Sequence, residues 1–438
     1  MSEHADVVIA GARCAGSAAA TALARQGRRV IAVDPARFPS TTVSTHLLFA
    51  GGVAELARVG ALERVEKAGA PRLSRAHVGG PGLDAGGGYT PVDGIDYGMC
   101  ARRAALDTAL VETARESGAE IREGHRVIDL LWERDRAVGV RVRDPKGQEY
   151  EIRAHLVVGA DGRRSTVARL VGAEHPRITH ANGRACYYAY YEDPRDEWRS
   201  TAAMWLTGYE LGNAFPCDGG LAMVLLMPPV ERVADFRGNL EAEFDRTVGL
   251  VPGLAARLEG CTRATKIVSS AEHPSYFRRS SGPGWVLVGD AGHFKDPVTA
   301  QGIRDAVRFG RLLGETAAVL DDPVALDRAT RAWERKRDEQ CVHTYHWTNL
   351  LGRGDGLAHV QFELLRALIG GPRGVRGLLE VYSRIRDPRE TLAVNGLARA
   401  AVRALRHNPA ERTAVLAGVG SAVRELAQNR GEAKRLLA

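Results

Sequence analysis

The sequence predicts an α/β fold with an inserted antiparallel sheet and a helical C-terminal region, and three observations carry that prediction. A strand–turn–helix–strand unit opens the chain, two further strands run into glycine-acid turns downstream, and no strand pattern appears after about residue 322. The chain has 438 residues, 45% hydrophobic and 26% charged. That is enough for two or three packed units and is unlike a disordered tail or a small disulfide scaffold. No apolar run approaches the roughly 18 residues of a membrane helix, and the start, MSEHADVVIAG, shows no basic leader followed by an apolar stretch. A cytoplasmic protein without a stable membrane anchor is expected. The six cysteines are dispersed with no C-x-x-C pair, so neither a zinc site nor a disulfide framework is signalled. The formal charge of +7 comes from arginines scattered along the chain. Without a basic stripe and interleaved aromatics, no nucleic-acid partner is expected.

The opening unit is residues 7–34, VVIAGARCAGSAAATALARQGRRVIAVD. An apolar run of strand length enters a glycine-rich turn, an Ala/Leu-rich helix follows, and a second apolar run ends in Asp34. Such a unit places a diphosphate at a helix N-terminus. Gly11 allows the tight turn out of the strand, Gly16 lets helix and strand pack closely, and Asp34 stands where a carboxylate accepts hydrogen bonds from a ribose diol. Arg13 takes the slot of the usual middle glycine, where it either crowds the phosphates or supplies them a cation. Residues 156–172, LVVGADGRRSTVARLVG, and 284–314, GWVLVGDAGHFKDPVTAQGIRDAVRFGRLLG, repeat the strand-into-turn pattern. Asp161 and Asp290 therefore sit at strand C-terminal edges, where open α/β sheets bind ligands. Turn residue or helix cap is the plainer role for each.

With three ordered fingerprints at these spacings, the chain resembles the glutathione-reductase-type FAD proteins. Within them it is similar to the single-component flavoprotein monooxygenases, the geranylgeranyl-reductase-like proteins and the flavin-dependent halogenases. The resemblance covers about residues 5–320 and implies a Rossmann-like FAD-binding domain. The expected division is an FAD-binding domain over 1–70, 101–183 and 274–321, a substrate-binding domain over 71–100 and 184–273, and a helical region over 322–438. By resemblance, Gly11, Arg13, Gly16 and the following helix hold the FAD diphosphate and Asp34 the adenosine ribose. Arg103, in the run RAALD, reaches the phosphates or the ribityl chain, with Arg102 as the alternative. Asp161 matches the family's DG acid, and Asp290 the acid that bonds a ribityl hydroxyl. Pro297 to Gly302 lie beside the flavin ring, where backbone N–H groups stabilise negative charge. There is no second complete Rossmann unit for a nicotinamide.

Strand formers crowd residues 184–227, where CYYAYY, AAMWLT, LGNAFP and LAMVLLMP suggest an antiparallel sheet that roofs a substrate cavity. Alternation along a strand lets only about half of its aromatics, Tyr187, Tyr188, Tyr190 and Tyr191 among them, line one cavity. A halogenase of this family carries W-x-W-x-I-P, but no two tryptophans here stand two apart, and Lys295 is the only nearby lysine. The loop DPVTAQGIRDA resembles the geranylgeranyl-reductase form. Residues 40–46, STTVSTH, lack the Cys-Gly-Gly of those reductases, and Ser44, Thr45 and His46 stand there instead. His46 is the candidate catalytic group, placed to donate to an oxidant or to bind a substrate phenol; a structural histidine is its plainer role. His343 and His346 are three apart on one helix, but no carboxylate completes a metal set nearby, so no metal is expected.

The expected function is an FAD-dependent monooxygenase that uses NADH or NADPH and molecular oxygen, through a flavin peroxy adduct, to hydroxylate or epoxidise an aromatic or polycyclic apolar metabolite. Reduction occurs on this chain or through a partner flavin reductase. An isoprenoid double-bond reductase, a halogenase and a non-catalytic flavin module are the alternatives.

Overall fold

Strand Glu3–Ala10 is buried over most of its length because it lies in the middle of a mostly parallel sheet. The computed structural model describes residues 3–390 and 394–437. Residues 1, 2, 391–393 and 438, which belong to the first and last expected segments, lie outside the described residues. The strand order is Ser281–Gly282, Trp285–Leu287, Glu149–Gly159, Glu3–Ala10, Val30–Asp34 and Glu120–Glu123. Val7 pairs in parallel with Val30 on one side and Leu156 on the other. Successive side chains therefore feed two cores. Val7, Ile9, Val30 and Leu156 meet the helices Cys14–Ala24, Arg103–Glu116 and Gly302–Leu312. Val8, Ile31 and Val157 meet the antiparallel ribbon Arg126–Glu133 and Arg136–Arg143 on the other face. This is the Rossmann-like α/β arrangement that the opening unit predicts.

The second sheet runs Thr262–Arg263, Cys186–Glu192, Leu221–Leu226, Glu210–Pro216, Thr201–Thr207, Arg75–Gly80 and Leu83–Gly88. Its ladders are antiparallel except where Thr201–Thr207 meets Arg75–Gly80. Alternation divides the aromatic run of Cys186–Glu192. Tyr188 shares a face with Cys186, Phe215 and Met223, and Tyr190 packs against that group. Tyr187 and Tyr191 point to the opposite face, where the short helices Val233–Gly238 and Leu240–Gly249 cover them. There the Tyr187 ring stacks on Phe236 at 3.9 Å.

From Pro323 onward the described chain is helical: Pro323–Leu351, Leu357–Ile369, Gly374–Tyr382, Val394–His407 and Arg412–Leu437. Asp322 starts the first of these, its carboxylate accepting from the N–H groups of Val324 and Ala325 with Pro323 at the first helical position. Val375, Leu378 and Leu379 pack on Ala76 and Val78 of the second sheet, so this region closes that sheet's outer edge. No described helix is long and apolar enough to cross a membrane.

Candidate functional site

Two helix N-termini open onto one cleft of 790 Å³ between the two sheets. Gly11 has φ +96, and a Cβ there would lie 2.4 Å from the Ala160 carbonyl oxygen; a Cβ on Gly16 would lie 1.8 Å from the Gly11 carbonyl oxygen. Only glycine lets strand, turn and helix approach this closely. No side chain caps the first N–H groups of the helix starting at Cys14, and none caps those of the helix starting at Gly302. Space beside Gly302 is open. Unpaired N–H groups and two positive helix ends favour an anion here.

Charged groups on the walls are positioned by the same elements. Asp34 is buried and accepts from Ala12 N and Ala36 N, each at 2.8 Å, which leaves further lone pairs for a diol. Arg13 donates to Asp107 at 2.6 Å and to Ser40 Oγ at 3.0 Å. Arg103 donates to the same Asp107 at 2.8 Å. One fully buried carboxylate thus holds two guanidinium groups on the cleft wall and leaves a net positive charge there. Sequence reasoning misses Asp107, although its position four residues after Arg103, one helical turn away, is the signal for such a pair. Arg102 turns instead to Asp218, with Nε at 2.8 and 2.9 Å, so of the two arginines it is Arg103 that lines the cleft.

The two acids after strands differ. Asp161 accepts from Ser165 Oγ at 2.5 Å and from the N–H groups of Thr166 and Val167 at 2.7 and 3.2 Å. It supports the first turn of the helix Thr166–Leu170 beside the cap Ser165, whose Oγ accepts from Ala168 N, and needs no ligand to explain it. Asp290 lines the cleft and makes no side-chain hydrogen bond among the described residues. Burial pushes its carboxyl upward, against the pull of Arg163, Arg103 and Lys295. A carboxylate without a protein partner, two uncapped helix N-termini and the Arg103–Asp107–Arg13 group fit an FAD ribityl diphosphate.

The loop before Gly302 carries Pro297 and Ala300 on the cleft wall, with Ala300 at φ +51. Beneath it lies a pair that the sequence does not flag. Asp296 Oδ2 and His273 Nε2 are 3.6 Å apart, both buried and neither hydrogen-bonded. Burial raises the Asp296 carboxyl to about 7 and lowers the His273 imidazole to about 4. Lys295 is held elsewhere, its ammonium against Asp305 and 2.7 Å from His293 Nε2.

His46 is 1% exposed and has φ +61, strained backbone for a non-glycine residue. The Ser44 carbonyl, 2.7 Å from Nδ1, can only accept, so Nδ1 carries the hydrogen. Nε2 therefore accepts from the Tyr190 hydroxyl at 2.7 Å. Burial lowers the imidazole to about 4, which keeps the ring neutral near pH 7. His46, Tyr188, Tyr190, Arg102 and Arg103 line a 650 Å³ cavity, and Tyr188, Arg103 and Thr42 also line the cleft. On the other side Thr45, Leu47, Pro297 and Ala300 separate the cleft from a 60 Å³ apolar pocket. Phe49 and Tyr382, stacked at 4.6 Å, lie on that pocket's wall.

Residues 4–188 match the family described as FAD binding domain. Menaquinone reductase of Mycolicibacterium smegmatis is 30% identical over 332 residues, 72% of this chain and 76% of that protein. Digeranylgeranylglycerophospholipid reductase of Methanosarcina acetivorans is 27% identical over 298 residues, 63% of this chain and 70% of that protein. Among solved structures, the myxobacterial chondrochloren halogenase shares the fold with a TM-score of 0.70 at 24% identity, covering 79% of this chain and 83% of the other. The chain therefore belongs to the family of FAD-dependent oxidoreductases that contains these menaquinone and digeranylgeranylglycerophospholipid reductases.

Proposed function

We propose that the chain is an FAD-dependent monooxygenase that hydroxylates or epoxidises an aromatic or polycyclic apolar metabolite, with NADH or NADPH as electron donor. The observation that carries this reading is the neutral His46–Tyr190 pair lining a 650 Å³ cavity that shares Thr42, Arg103 and Tyr188 with the FAD cleft. FAD, when bound and reduced, supplies the electron pair and the reactivity toward oxygen. The chain supplies position. Because Tyr190 donates its proton to His46 Nε2, its oxygen lone pairs face the cavity as acceptors for a substrate phenol or ring N–H. The Tyr188 hydroxyl makes no hydrogen bond among the described residues and is free to pair with a second polar group of the substrate. A histidine held near 4 does not take up a proton at pH 7, so the pair orients the substrate rather than acting as its base. Arg103 and the Gly302 helix end favour negative charge on the cofactor side.

A second reading, saturation of a prenyl double bond, is favoured by the two reductase relatives. Against it, the apolar pocket of 60 Å³ holds only a few carbon atoms, and the larger cavity sets the Tyr188 and Tyr190 hydroxyls among Ala68, Ala105 and Val268, a lining that suits an aromatic ring bearing a polar group. The discriminating experiment incubates the FAD-loaded protein with NADPH or NADH and candidate aromatic or prenylated compounds, in labelled oxygen and anaerobically. One labelled oxygen atom in the product, formed only aerobically, is the expected result. A product gaining two hydrogens without oxygen would overturn the oxygenase reading in favour of the reductase.

A further inference from the structure

Outside the FAD cleft, three side chains from three distant parts of the sequence converge on one point. His180 ends the strand Ile178–His180, His346 lies in the helix Pro323–Leu351, and Glu432 lies in the helix Arg412–Leu437. One nitrogen or oxygen from each falls within 4.8 Å of the other two. His180 Nε2 is 3.5 Å and His346 Nδ1 is 3.9 Å from the same atom, Glu432 Oε2. Ligand atoms about 2.0–2.1 Å from a tetrahedral metal stand roughly 3.3–3.5 Å apart. The His180–Glu432 spacing matches that figure, the His346–Glu432 spacing exceeds it by about half an ångström, and all three atoms lie within 4.8 Å of one another.

The polar atoms here are costly without an occupant. The side chains of His346 and Glu432 are 9% and 7% exposed. Neither ring nitrogen of His346 nor Oε2 of Glu432 makes a hydrogen bond, and Asn429 Oδ1 beside them makes none. The surrounding groups aim the ligands. Tyr345 OH lies 2.9 Å from His180 Nδ1 and fixes the ring with Nε2 toward Glu432; metal binding requires the tautomer in which Nδ1 donates to Tyr345 and Nε2 keeps its lone pair. Gln428 Nε2 donates to Glu432 Oε1 at 2.9 Å, which leaves Oε2 free. Outer partners of this kind fix ligand orientation in metal sites. A proton shared by His180 and Glu432 would be stretched over 3.5 Å and would leave His346 with only the Asn429 side chain as a neighbouring partner. A second cluster, His293, Asp305 and Cys341, is already filled by the Lys295 ammonium, which lies against Asp305 and 2.7 Å from His293 Nε2.

We propose that His180, His346 and Glu432 bind one divalent transition-metal ion of the zinc type, with water at the fourth position, and that this ion fastens the last helix to the Pro323–Leu351 helix and the Ile178–His180 strand. Two imidazoles and one carboxylate suit a borderline cation such as Zn²⁺ or Co²⁺ better than Ca²⁺ or Mg²⁺. From the sequence, His343 and His346 lack a nearby carboxylate and no metal is expected; the structure joins His346 instead to partners 166 residues upstream and 86 downstream.

The test uses the full chain, stripped with a chelator and titrated with Co²⁺ and then Zn²⁺. One equivalent of Co²⁺ with the visible absorption of a tetrahedral ion, displaced by Zn²⁺, is expected, together with slower proteolysis after residue 411. His346→Ala and the near-isosteric Glu432→Gln are each expected to weaken the metal by at least about 100-fold, with FAD binding unchanged. His343→Ala should leave it intact. Absence of stoichiometric Co²⁺ or Zn²⁺ binding by the wild-type chain would overturn the proposal, as would binding that survives Glu432→Gln or disappears in His343→Ala.

Discussion

At Asp296 a buried carboxyl is raised from the usual carboxylate range to about 7 by burial, against the Val298 N–H and the Arg184 charge. His273 faces the same carboxylate at 3.6 Å, and the Arg163 charge helps hold that imidazole low. Between pH 4 and 7 the unfolded chain releases this proton while the folded chain keeps it, so stability falls as pH rises across that window and levels off above it. Asp296→Asn keeps an oxygen for Val298 N–H and cannot ionise. Relative to wild type, its unfolding free energy should rise by about 2–3 kcal/mol between pH 5 and pH 8. A difference that stays flat over this range, measured by urea denaturation, would sink the assignment. The His46–Tyr190 pair gives a second test at this scale. Tyr190→Phe leaves His46 Nε2 buried and unpaired, which should cost about 1–3 kcal/mol. Under the proposed function it should also weaken binding of phenolic ligands while FAD content stays the same. Unchanged stability and unchanged ligand affinity would make the pair incidental.

Element packing decides whether the two helix N-termini reach the cofactor together. The helices Cys14–Ala24 and Gly302–Leu312 cross so closely that a Cβ on Gly310 would lie 2.4 Å from the Ala15 carbonyl oxygen, a backbone atom that cannot swing away. Gly310→Val should therefore destabilise the fold by about 1–3 kcal/mol and lower FAD affinity as well, because spreading the helices moves both N-termini. Wild-type FAD affinity in a folded Gly310→Val protein would show that the crossing does not set the cleft. This element was legible in part: the apolar runs and glycine turns revealed strand, turn and helix, since period and turn chemistry are local. Which helix crosses which depends on contacts nearly 300 residues apart, which no single window of sequence displays.

Over the whole molecule, legibility falls off with the same distance. Asp34, Arg103 and Asp290 lie on the cleft wall, where their strand-end and helix-start positions suggested. Asp161 also lies there, yet its carboxylate is spent on a helix start, a role that local turn chemistry predicts equally well. Asp107 was readable as an i,i+4 partner, whereas the His273–Asp296 and His180–His346–Glu432 meetings exist only after folding. This difference between Asp161 and Asp290 yields a test of the cleft as a unit. The cleft is walled by both sheets, so free FAD at 100 times its Kd should stabilise the wild-type chain by about 2.7 kcal/mol, seen as a rise in Tm. Asp290 has no protein partner, so Asp290→Ala should leave the FAD-free Tm nearly unchanged. It removes a charged hydrogen-bond acceptor from the cofactor, and a tenfold loss of FAD affinity would cut the increment by about 1.4 kcal/mol at the same FAD concentration. Asp161→Ala should do the reverse, lowering the FAD-free stability by about 0.5–2 kcal/mol through the lost hydrogen bonds to Ser165, Thr166 and Val167 at the helix start while keeping most of the FAD increment. If Asp290→Ala destabilises the FAD-free chain and keeps the full increment, Asp290 is structural and the ribityl assignment moves to another wall of the cleft.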